Sequence, residues 1–266
     1  MLTTDCLYLF AFGPHGDAEL RISLRGLAAH APWVRKVWIF GDRPEWLSEN
    51  CDVVEHVPHE YVARLGRWKT PLKNTFLMTF LASLIPGLAD EFLWFADDYI
   101  LLEPVAREDL FRVRVLEDLA KVPSRGRGLY KDALWRTHDT LKRLGCYAPQ
   151  LGVLNFECHL PHAYTRRRIW DAYCDLQDFV TEDRYYGLLC HLAVFNHAAK
   201  HEPISELVWV KDEGRFIGFY AKPPSYEDAR SGCEDKTFLN FDDAAWGPGL
   251  ERLLAERFPH KSKFER

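Results

Sequence analysis

The chain has 266 residues, of which 47% are hydrophobic and 27% charged, a composition typical of a globular protein with a sizeable core. Its net charge of -5 and pI near 6.1 exclude a basic, polyanion-binding surface spread over the whole molecule. The seven cysteines include no CxxC pair, and they predict reduced thiols rather than disulfides or a zinc site.

The N-terminal stretch, MLTTDCLYLFAFG, has no basic region before its apolar run and is too short to span a bilayer. No later stretch approaches the roughly 18 apolar residues that a membrane-spanning helix needs. We therefore expect a cytoplasmic protein without a transmembrane segment.

The chain begins with a predicted strand, a turn and a predicted helix. Residues 6–12 form a run of β-forming side chains that ends at Gly13, and a helical pattern over residues 18–31 follows the turn GPHG. This turn lacks the GxGxxG fingerprint of dinucleotide-binding proteins. Residues 36–42 predict a second strand that closes at Asp42, and residues 52–57 predict a third. The order βαββ favours a largely parallel, doubly wound sheet.

A basic segment, RLGRWKTPLKN, occupies residues 64–74 and leads into a helix predicted for residues 74–85. The segment is either a solvated loop or a phosphate-binding element, because a helix N-terminus adds its own positive field. In the second case the side chains that contact the phosphate are Arg67, Lys69, Lys73 and Asn74.

The fourth predicted strand, EFLWF, ends at two adjacent carboxylates, Asp97 and Asp98. Desolvating a carboxylate is costly, so this pair indicates either a compensating divalent cation or a strand that ends in a solvated loop. Gly13 and Asp42 also follow predicted strands. The carboxyl ends of parallel strands share one edge of a sheet, where ligands bind, so we expect a site at this edge.

The second half of the chain is less regular. SRGRG, at residues 124–128, predicts either a plain linker or a mobile loop that folds over an anion. His159 and His162 lie beside Glu157, and each is either structural or a base, phosphate partner or metal ligand. Pro161 breaks this segment and argues against a zinc pair. Further on, Thr181, Glu182 and Asp183 predict the capped N-terminus of a helix that extends to residue 201.

With these motifs, the N-terminal half resembles the stealth proteins, a family of capsular polysaccharide phosphotransferases, and more broadly the nucleotide-sugar transferases of the GT-A fold. The similarity is carried by residues 19–47, 70–77 and 85–105 and by the His-x-Pro of residues 159–161. It implies an α/β, GT-A-like, Rossmann-related fold with a mostly parallel central sheet. In a single such domain, residues 1–105 would bind the nucleotide sugar and residues 106–266 would form the acceptor side and complete the catalytic site.

The resemblance also implies roles for individual residues. Asp97 and Asp98 would bind Mg²⁺ or Mn²⁺, whose preference for oxygen ligands suits two carboxylates, and through it the diphosphate of a nucleotide-sugar donor. The implied contacts to nucleoside or phosphate are Gly13, Arg21, Arg25, Asp42, Lys73 and Asn74. The implied catalytic residues are His159 near the transferred group, Asp98, and Asp183 or Asp242 as the base for the acceptor.

Three functions remain open. The first is a metal-dependent glycosyltransferase that moves a hexose from a nucleotide diphosphate sugar to a hydroxyl. The chain departs from the stealth pattern in its first strand, LYLFAFG, and at Ala96, where stealth proteins carry Asn. These departures bear on the phosphotransfer chemistry rather than on the fold. The alternatives are a stealth-like sugar-1-phosphate transferase, which releases a nucleoside monophosphate, and a non-catalytic nucleotide-sugar-binding module. The acceptor is a glycan or a hydroxymethylated DNA base. For DNA, the basic residues within 112–131 and 166–168 would bind the strand, and the base would be flipped out.

Overall fold

A computed structural model describes residues 4–66 and 68–266. Arg67, one of the predicted phosphate contacts, lies outside the described residues. The strands are β1 (Asp5–Phe10), β2 (Lys36–Gly41), β3 (Val54–Val57), β4 (Glu91–Phe95), β5 (Tyr99–Leu101), β6 (Val113–Val115), β7 (Glu117–Asp118), β8 (Leu154–Asn155), β9 (His162–Thr165), β10 (Leu207–Trp209), β11 (Phe216–Phe219) and β12 (Phe238–Phe241).

The α-helices of the same residues are α1 (Ala18–His30), α2 (His59–Ala63), α3 (Thr75–Ser83), α4 (Arg107–Leu110), α5 (Leu129–Leu144), α6 (Arg166–Leu176), α7 (Cys190–His201), α8 (Tyr226–Gly232) and α9 (Pro248–Arg257). None of them combines the length and the apolar composition needed to cross a bilayer.

The central sheet has five strands in the order β3-β2-β1-β4-β9. The first four are parallel, and β9 pairs antiparallel with β4 at the edge. Strands β1, β2 and β4 are almost entirely buried, as expected for parallel strands that helices cover on both faces. The predicted α/β fold with a mostly parallel central sheet is confirmed.

Helix α7 packs against α3, α5 and α6, and α3 also packs against α6, while α1 packs against β5. Strand β5 belongs to a second sheet with the order β11-β12-β5, and this sheet shares a smaller apolar core with α8 and α9. A main core spans the central sheet and its helices.

The two predicted halves of the chain share both of these sheets. Residues 1–105 contribute β4, which pairs with β9 from the second half, and β5, which pairs with β12 near the C-terminus. Because β4 and β5 flank the Asp pair, the ends of elements from both halves lie next to it. The functional division at residue 105 stays a prediction.

One sequence prediction about local structure is wrong. Thr181–Asp183 do not begin a helix, since α7 starts only at Cys190. Gly187 is buried, and a Cβ built on it would lie 2.2 Å from Nδ2 of Asn74, so the segment is held against the start of α3 instead. The N-terminus of α7 is satisfied by a distant residue: Oε1 of Glu157 accepts a hydrogen bond from the backbone amide of Leu192 at 3.1 Å.

Candidate functional site

Asp97 and Asp98 lie between the end of β4 and the start of β5, at the carboxyl edge of the central sheet. The strand run from Glu91 to Phe95 is apolar after its first residue and is buried, so the chain emerges from the core directly at the two carboxylates. The side chains therefore sit where open α/β sheets bind ligands.

Three further side chains join the Asp pair. Ligand atoms of His15, Glu19 and Asp243 all lie within 4.8 Å of one another, and Nε2 of His15 lies 3.0 Å from the backbone carbonyl of Asp243. Both Glu19 and Asp243 are close enough to Asp97 for their charges to affect its pKa or be affected by it. The site is thus a carboxylate cluster, which we define as Glu19, Asp97, Asp98 and Asp243.

Burial and mutual repulsion disfavour the ionised forms of this cluster. Burial, followed by the charges of Asp97 and Asp243, raises the pKa of Glu19 to about 8. Burial, followed by the charge of Asp243, raises the pKa of Asp97 to about 6. Burial and the charge of Asp97 raise the pKa of Asp98 well above its usual value. Such shifts mark a place where buried negative charge is concentrated.

The donor atoms of the cluster fit a divalent cation. Oδ1 of Asp98 and Oε1 of Glu19 are buried and accept no hydrogen bond from any residue that the structure describes. Buried carboxylate oxygens are normally paired, and unpaired ones in a group of acids are the ligands that Mg²⁺ and Mn²⁺ prefer. The metal itself stays a prediction.

His159 is connected to the Asp pair through two residues. Its ring lies 5.9 Å from that of Tyr220, whose hydroxyl donates to Oδ1 of Asn240 at 2.8 Å. Nδ2 of Asn240 in turn donates to the backbone carbonyl of Asp98 at 3.3 Å. The backbone of His159 has a φ of 56°, which is uncommon for a residue other than glycine and concentrates at functional positions.

Burial, followed by the charge of Lys131, lowers the pKa of His159, so its imidazole is neutral near pH 7. The second histidine of this segment has a different setting. His162 is buried in the core, where its Nε2 lies 3.4 Å from Sγ of Cys158, and burial lowers its pKa to about 3. Of the two histidines, His159 is the one placed at the site.

Asp183 belongs to a segment that approaches the cluster. The neighbouring residue, Arg184, lowers the pKa of Asp97 through its charge, so its guanidinium is a cation within electrostatic reach of the carboxylates. Nδ2 of Asn74 donates to the backbone carbonyls of Asp183 at 3.4 Å and Leu188 at 3.1 Å. Asn74 also caps α3 by accepting from the amide of Leu77, so it positions this segment.

Asp242 and Asp243 differ in what their side chains contact. Both carboxylate oxygens of Asp242 accept from the backbone amide of Ala221, and Oδ1 also accepts from that of Ala245. Asp243 instead lies with Glu19 and His15. Asp242 is therefore held by backbone amides of its own turn and of the segment that follows β11, and Asp243 is the member of the pair that reaches the cluster.

Gly13 and Asp42 shape the loop that carries His15. Gly13 and Gly16 exchange backbone hydrogen bonds of 3.3 and 3.1 Å, and Oδ2 of Asp42 accepts from the amide of Phe12 at 2.9 Å. The loop leads directly into the first turn of α1, where Glu19 is placed. These two predicted ligand contacts thus hold the approach to the cluster.

The predicted basic contacts are not drawn to the cluster. The guanidinium of Arg25 makes two hydrogen bonds of 2.8 Å to Glu265, and that of Arg21 lies 4.8 Å from the ring centroid of Trp46. Arg21 also lines a surface pocket of about 540 Å³ with Phe12. Lys73 is exposed.

Most of the arginines and lysines considered for DNA binding already have acidic partners. The pairs within 4.0 Å are Arg112 with Asp109, Arg114 with Glu213, Lys121 with Asp118, Arg125 with Asp139, Arg166 with Asp90, Arg167 with Asp171 and Arg168 with Glu202. Little of this charge is left unbalanced for a nucleic-acid backbone.

Several residues of the site were missed from the sequence: His15, Glu19, Arg184, Tyr220, Asn240 and Asp243. A signal existed for Glu19, because an acid in the first turn of a helix that follows a strand-end loop lies at the ligand-binding edge. Tyr220 and Asn240 have no such signal, since their contacts with His159 and Asp98 join distant parts of the chain.

The raised pKa values predict how pH and metal affect stability. Without metal, the native state binds the extra protons, so the stability these groups contribute is complete below the usual carboxyl pKa and is lost as the pH rises through about 6 for Asp97 and about 8 for Glu19. A cation reverses this loss by binding the ionised cluster. At about 100 times its Kd, Mn²⁺ should raise the melting temperature at high pH by roughly 5 °C or more.

Scanning fluorimetry at about pH 5 and about pH 8, with and without Mn²⁺, measures this effect. The Asp97→Asn/Asp98→Asn variant is the control and should show a much smaller shift. An equal Mn²⁺ shift at both pH values, or an unchanged shift in the variant, would contradict the assignment of the metal to this cluster.

A family model described as stealth protein CR2, conserved region 2, matches residues 15–118. Residues 15–118 are thus similar to the second conserved region of the stealth proteins. This stealth region includes His15, Glu19, Asp97 and Asp98, and it ends before His159 and the residues that follow. The resemblance inferred from the sequence is confirmed.

Curated relatives match the same part of the chain. An exopolysaccharide phosphotransferase of Streptomyces coelicolor is 35% identical over 95 residues, which cover 35% of this chain and 10% of the relative. A receptor polysaccharide phosphotransferase of Streptococcus oralis is 33% identical over 96 residues, which cover 33% of this chain and 26% of the relative. A capsular polysaccharide phosphotransferase of Streptococcus thermophilus is 32% identical over 89 residues, which cover 33% of this chain and 37% of the relative.

The alignments with these relatives thus cover between 10% and 37% of their length. Their names favour transfer of a phosphorylated group. Of the two enzyme functions inferred from the sequence, they support the sugar-phosphate alternative better than hexose transfer.

Proposed function

We propose that the chain catalyses metal-dependent transfer of a sugar-1-phosphate from a nucleotide diphosphate sugar to a hydroxyl group of a glycan. The observation that carries this proposal is the carboxylate cluster at the carboxyl edge of the sheet, whose buried oxygens of Asp98 and Glu19 lack partners among the described residues. The stealth region around it and the printed names of the relatives support the phosphotransfer reaction.

The reaction exchanges one phosphorus–oxygen bond for another. The acceptor oxygen bonds to the phosphorus that carries the sugar, and the bond from this phosphorus to the bridging oxygen of the diphosphate breaks. A nucleoside monophosphate leaves with that oxygen, the acceptor proton passes to a base, and the bond between the sugar and its phosphate stays intact. Positioning and charge stabilisation account for most catalysis of such transfers.

Asp97 and Asp98, with Glu19 and Asp243, would hold Mg²⁺ or Mn²⁺. When bound, the ion supplies positive charge for the diphosphate and for the departing phosphate. Arg184 adds a protein cation within electrostatic reach of Asp97, and Arg is suited to contacts with phosphate oxygens.

His159 is the base in this proposal. Because its pKa is lowered, the imidazole is unprotonated at neutral pH. A neutral imidazole can accept the proton of the acceptor hydroxyl. Tyr220 and Asn240 link its position to Asp98. Asp183 is the second candidate for the base, because its segment approaches Asp97, whereas the oxygens of Asp242 are engaged by backbone amides.

A glycan acceptor is preferred to a DNA base for a physical reason. The arginines and lysines proposed to contact a nucleic-acid strand mostly pair with neighbouring acids, and strand binding depends on cations that are free to neutralise phosphates.

A panel of nucleotide diphosphate sugars, incubated with soluble glycans and Mn²⁺, tests the proposal through the nucleotide that is released. We expect a nucleoside monophosphate, whose formation requires both acceptor and metal and is absent in the Asp97→Asn/Asp98→Asn variant. Release of a nucleoside diphosphate would instead establish hexose transfer. Binding of metal and donor by calorimetry, with no donor consumed, would establish a binding module.

A further inference from the structure

A second group of metal-ligating side chains lies between α6 and α7. Ligand atoms of Asp175, His197 and His201 all lie within 4.8 Å of one another. His197 and His201 are four residues apart on α7, so they project from successive turns on the same side of the helix, and Asp175 comes from the last turns of α6. The helices thus bring together two imidazoles and a carboxylate.

The contacts within this group are already close. Nε2 of His197 lies 2.9 Å from Oδ2 of Asp175, and the rings of His197 and His201 are 4.9 Å apart. The side chain of His197 is only 3% exposed, whereas that of Asp175 is 52% exposed. A buried imidazole therefore fixes one donor in place, and the other two donors lie at the surface where an ion can enter.

The group opens onto a surface groove of about 580 Å³ between the two helices. This groove is separate from the carboxylate cluster: Thr165, which lines it, pairs with Glu91 at the end of β4 opposite to Asp97. Two cations that line the groove are balanced by their own partners, Arg167 by Asp171 and Arg168 by Glu202.

The chemistry of the donors selects the kind of metal. Mg²⁺ prefers oxygen ligands, whereas two imidazole nitrogens with one carboxylate oxygen suit Zn²⁺ and related transition metals. An ion pair between Asp175 and His197 would account for the closeness of those two side chains, but not for the position of His201 beside them. The cysteines and the segment with His159 and His162 predict no zinc site, whereas the i, i+4 spacing of His197 and His201 suits one.

We propose that Asp175, His197 and His201 form a Zn²⁺ site that clamps α6 to α7, with water completing the coordination of the ion. The ion takes the place of the hydrogen atom between Oδ2 of Asp175 and Nε2 of His197, since both groups bind metal in their deprotonated form. Because the helices pack behind the central sheet with α3, the site acts on the stability of the scaffold and takes no part in phosphotransfer.

Zinc titration of the tag-free full chain, in competition with a chromogenic chelator and with Mg²⁺ in large excess, tests this proposal. We expect one Zn²⁺ per chain and a Zn²⁺-dependent rise in melting temperature. Asp175→Asn and His201→Ala change surface residues and preserve the fold, and each should weaken Zn²⁺ affinity by at least about 100-fold, since even outer contacts of a metal site are worth 10- to 100-fold.

Two further variants show which residues bind the Zn²⁺ that the titration detects. His260→Ala removes an exposed histidine of the C-terminal tail, and Asp97→Asn/Asp98→Asn disables the carboxylate cluster. Both should bind Zn²⁺ as the unaltered chain does. Co²⁺ should give the intense visible absorption of a tetrahedral site, and this absorption should disappear in His201→Ala.

The proposal is overturned if the chain takes no Zn²⁺ from the chelator, if His201→Ala binds it unchanged, or if the signal is lost in Asp97→Asn/Asp98→Asn. The last result would assign the ion to the carboxylate cluster. Failure of phosphotransfer in the donor panel, by contrast, would leave this zinc site untouched.

Discussion

Asp98→Asn should lower turnover by about 1,000-fold or more, because it removes a charged ligand from a cation that stabilises the transferring phosphate by several kcal/mol. The same change should leave the melting temperature in metal-free buffer equal or higher. Asp98 is half-buried beside Asp97, its pKa is raised well above the usual value, and the neutral amide removes the cost of ionising a carboxyl group there.

Steady-state rates with saturating donor and Mn²⁺, measured beside thermal melts in EDTA, check both parts of this prediction. Asp242→Asn is a matched control, because its carboxylate contacts the backbone amides of Ala221 and Ala245, and its turnover should fall far less. Full activity of Asp98→Asn, or full activity of the unaltered chain in excess EDTA, would contradict the metal site.

His159→Ala should lower kcat by about 100- to 10,000-fold, the range attributed to a positioned acid or base. In the unaltered chain, kcat/KM should be constant across neutral pH and fall as the pH drops through the lowered pKa of His159, because protonation removes the base. The free energy of unfolding should change with pH in the same direction as kcat/KM. The stability that this half-buried, neutral ring contributes is complete above the ordinary histidine pKa of about 6.5 and is lost as the pH falls through the lowered pKa of His159.

Added imidazole should restore part of the activity of His159→Ala, which a purely structural defect would not allow. His260→Ala, which changes an exposed histidine outside the site, should keep its rate and pH profile. An unchanged acid limb of the pH profile in His159→Ala would contradict the role as base and would direct attention to Asp183.

The central sheet was predictable because its signals are local. Residues 36–41 and 91–95 are short, mostly apolar runs that end at turn or acidic residues, and such runs are typical of buried parallel strands. The position of Asp97 and Asp98 followed from the same pattern, since a strand that ends on two carboxylates must present them at the edge of the sheet.

The remaining part of the site depends on contacts that no local pattern encodes. Asn240 reaches the backbone of Asp98 from a strand 142 residues away in the chain, and Asp243 reaches Glu19 from the turn after that strand. Asp242 was predicted at the site and its neighbour Asp243 was not, and only the backbone amides that hold Asp242 distinguish them.

The segment of residues 181–189 shows a different reason for failure. Its acids have the composition of a helix N-terminus, but tertiary contacts with Asn74 hold the segment in another conformation, and Glu157 caps α7 from outside. Local preference is weak compared with such packing. The paired histidines of α7 carried a usable signal in their spacing, whereas their partner Asp175 became visible only when α6 and α7 were placed side by side.

The most direct test of the central claim is the mass of the purified acceptor glycan after reaction with the donor that the chain consumes. Transfer of a sugar-1-phosphate predicts that the acceptor gains one sugar together with one phosphate, joined through a phosphodiester, and that this gain requires Asp97 and Asp98. An acceptor that gains the sugar without phosphorus would contradict the account and establish glycosyl transfer instead.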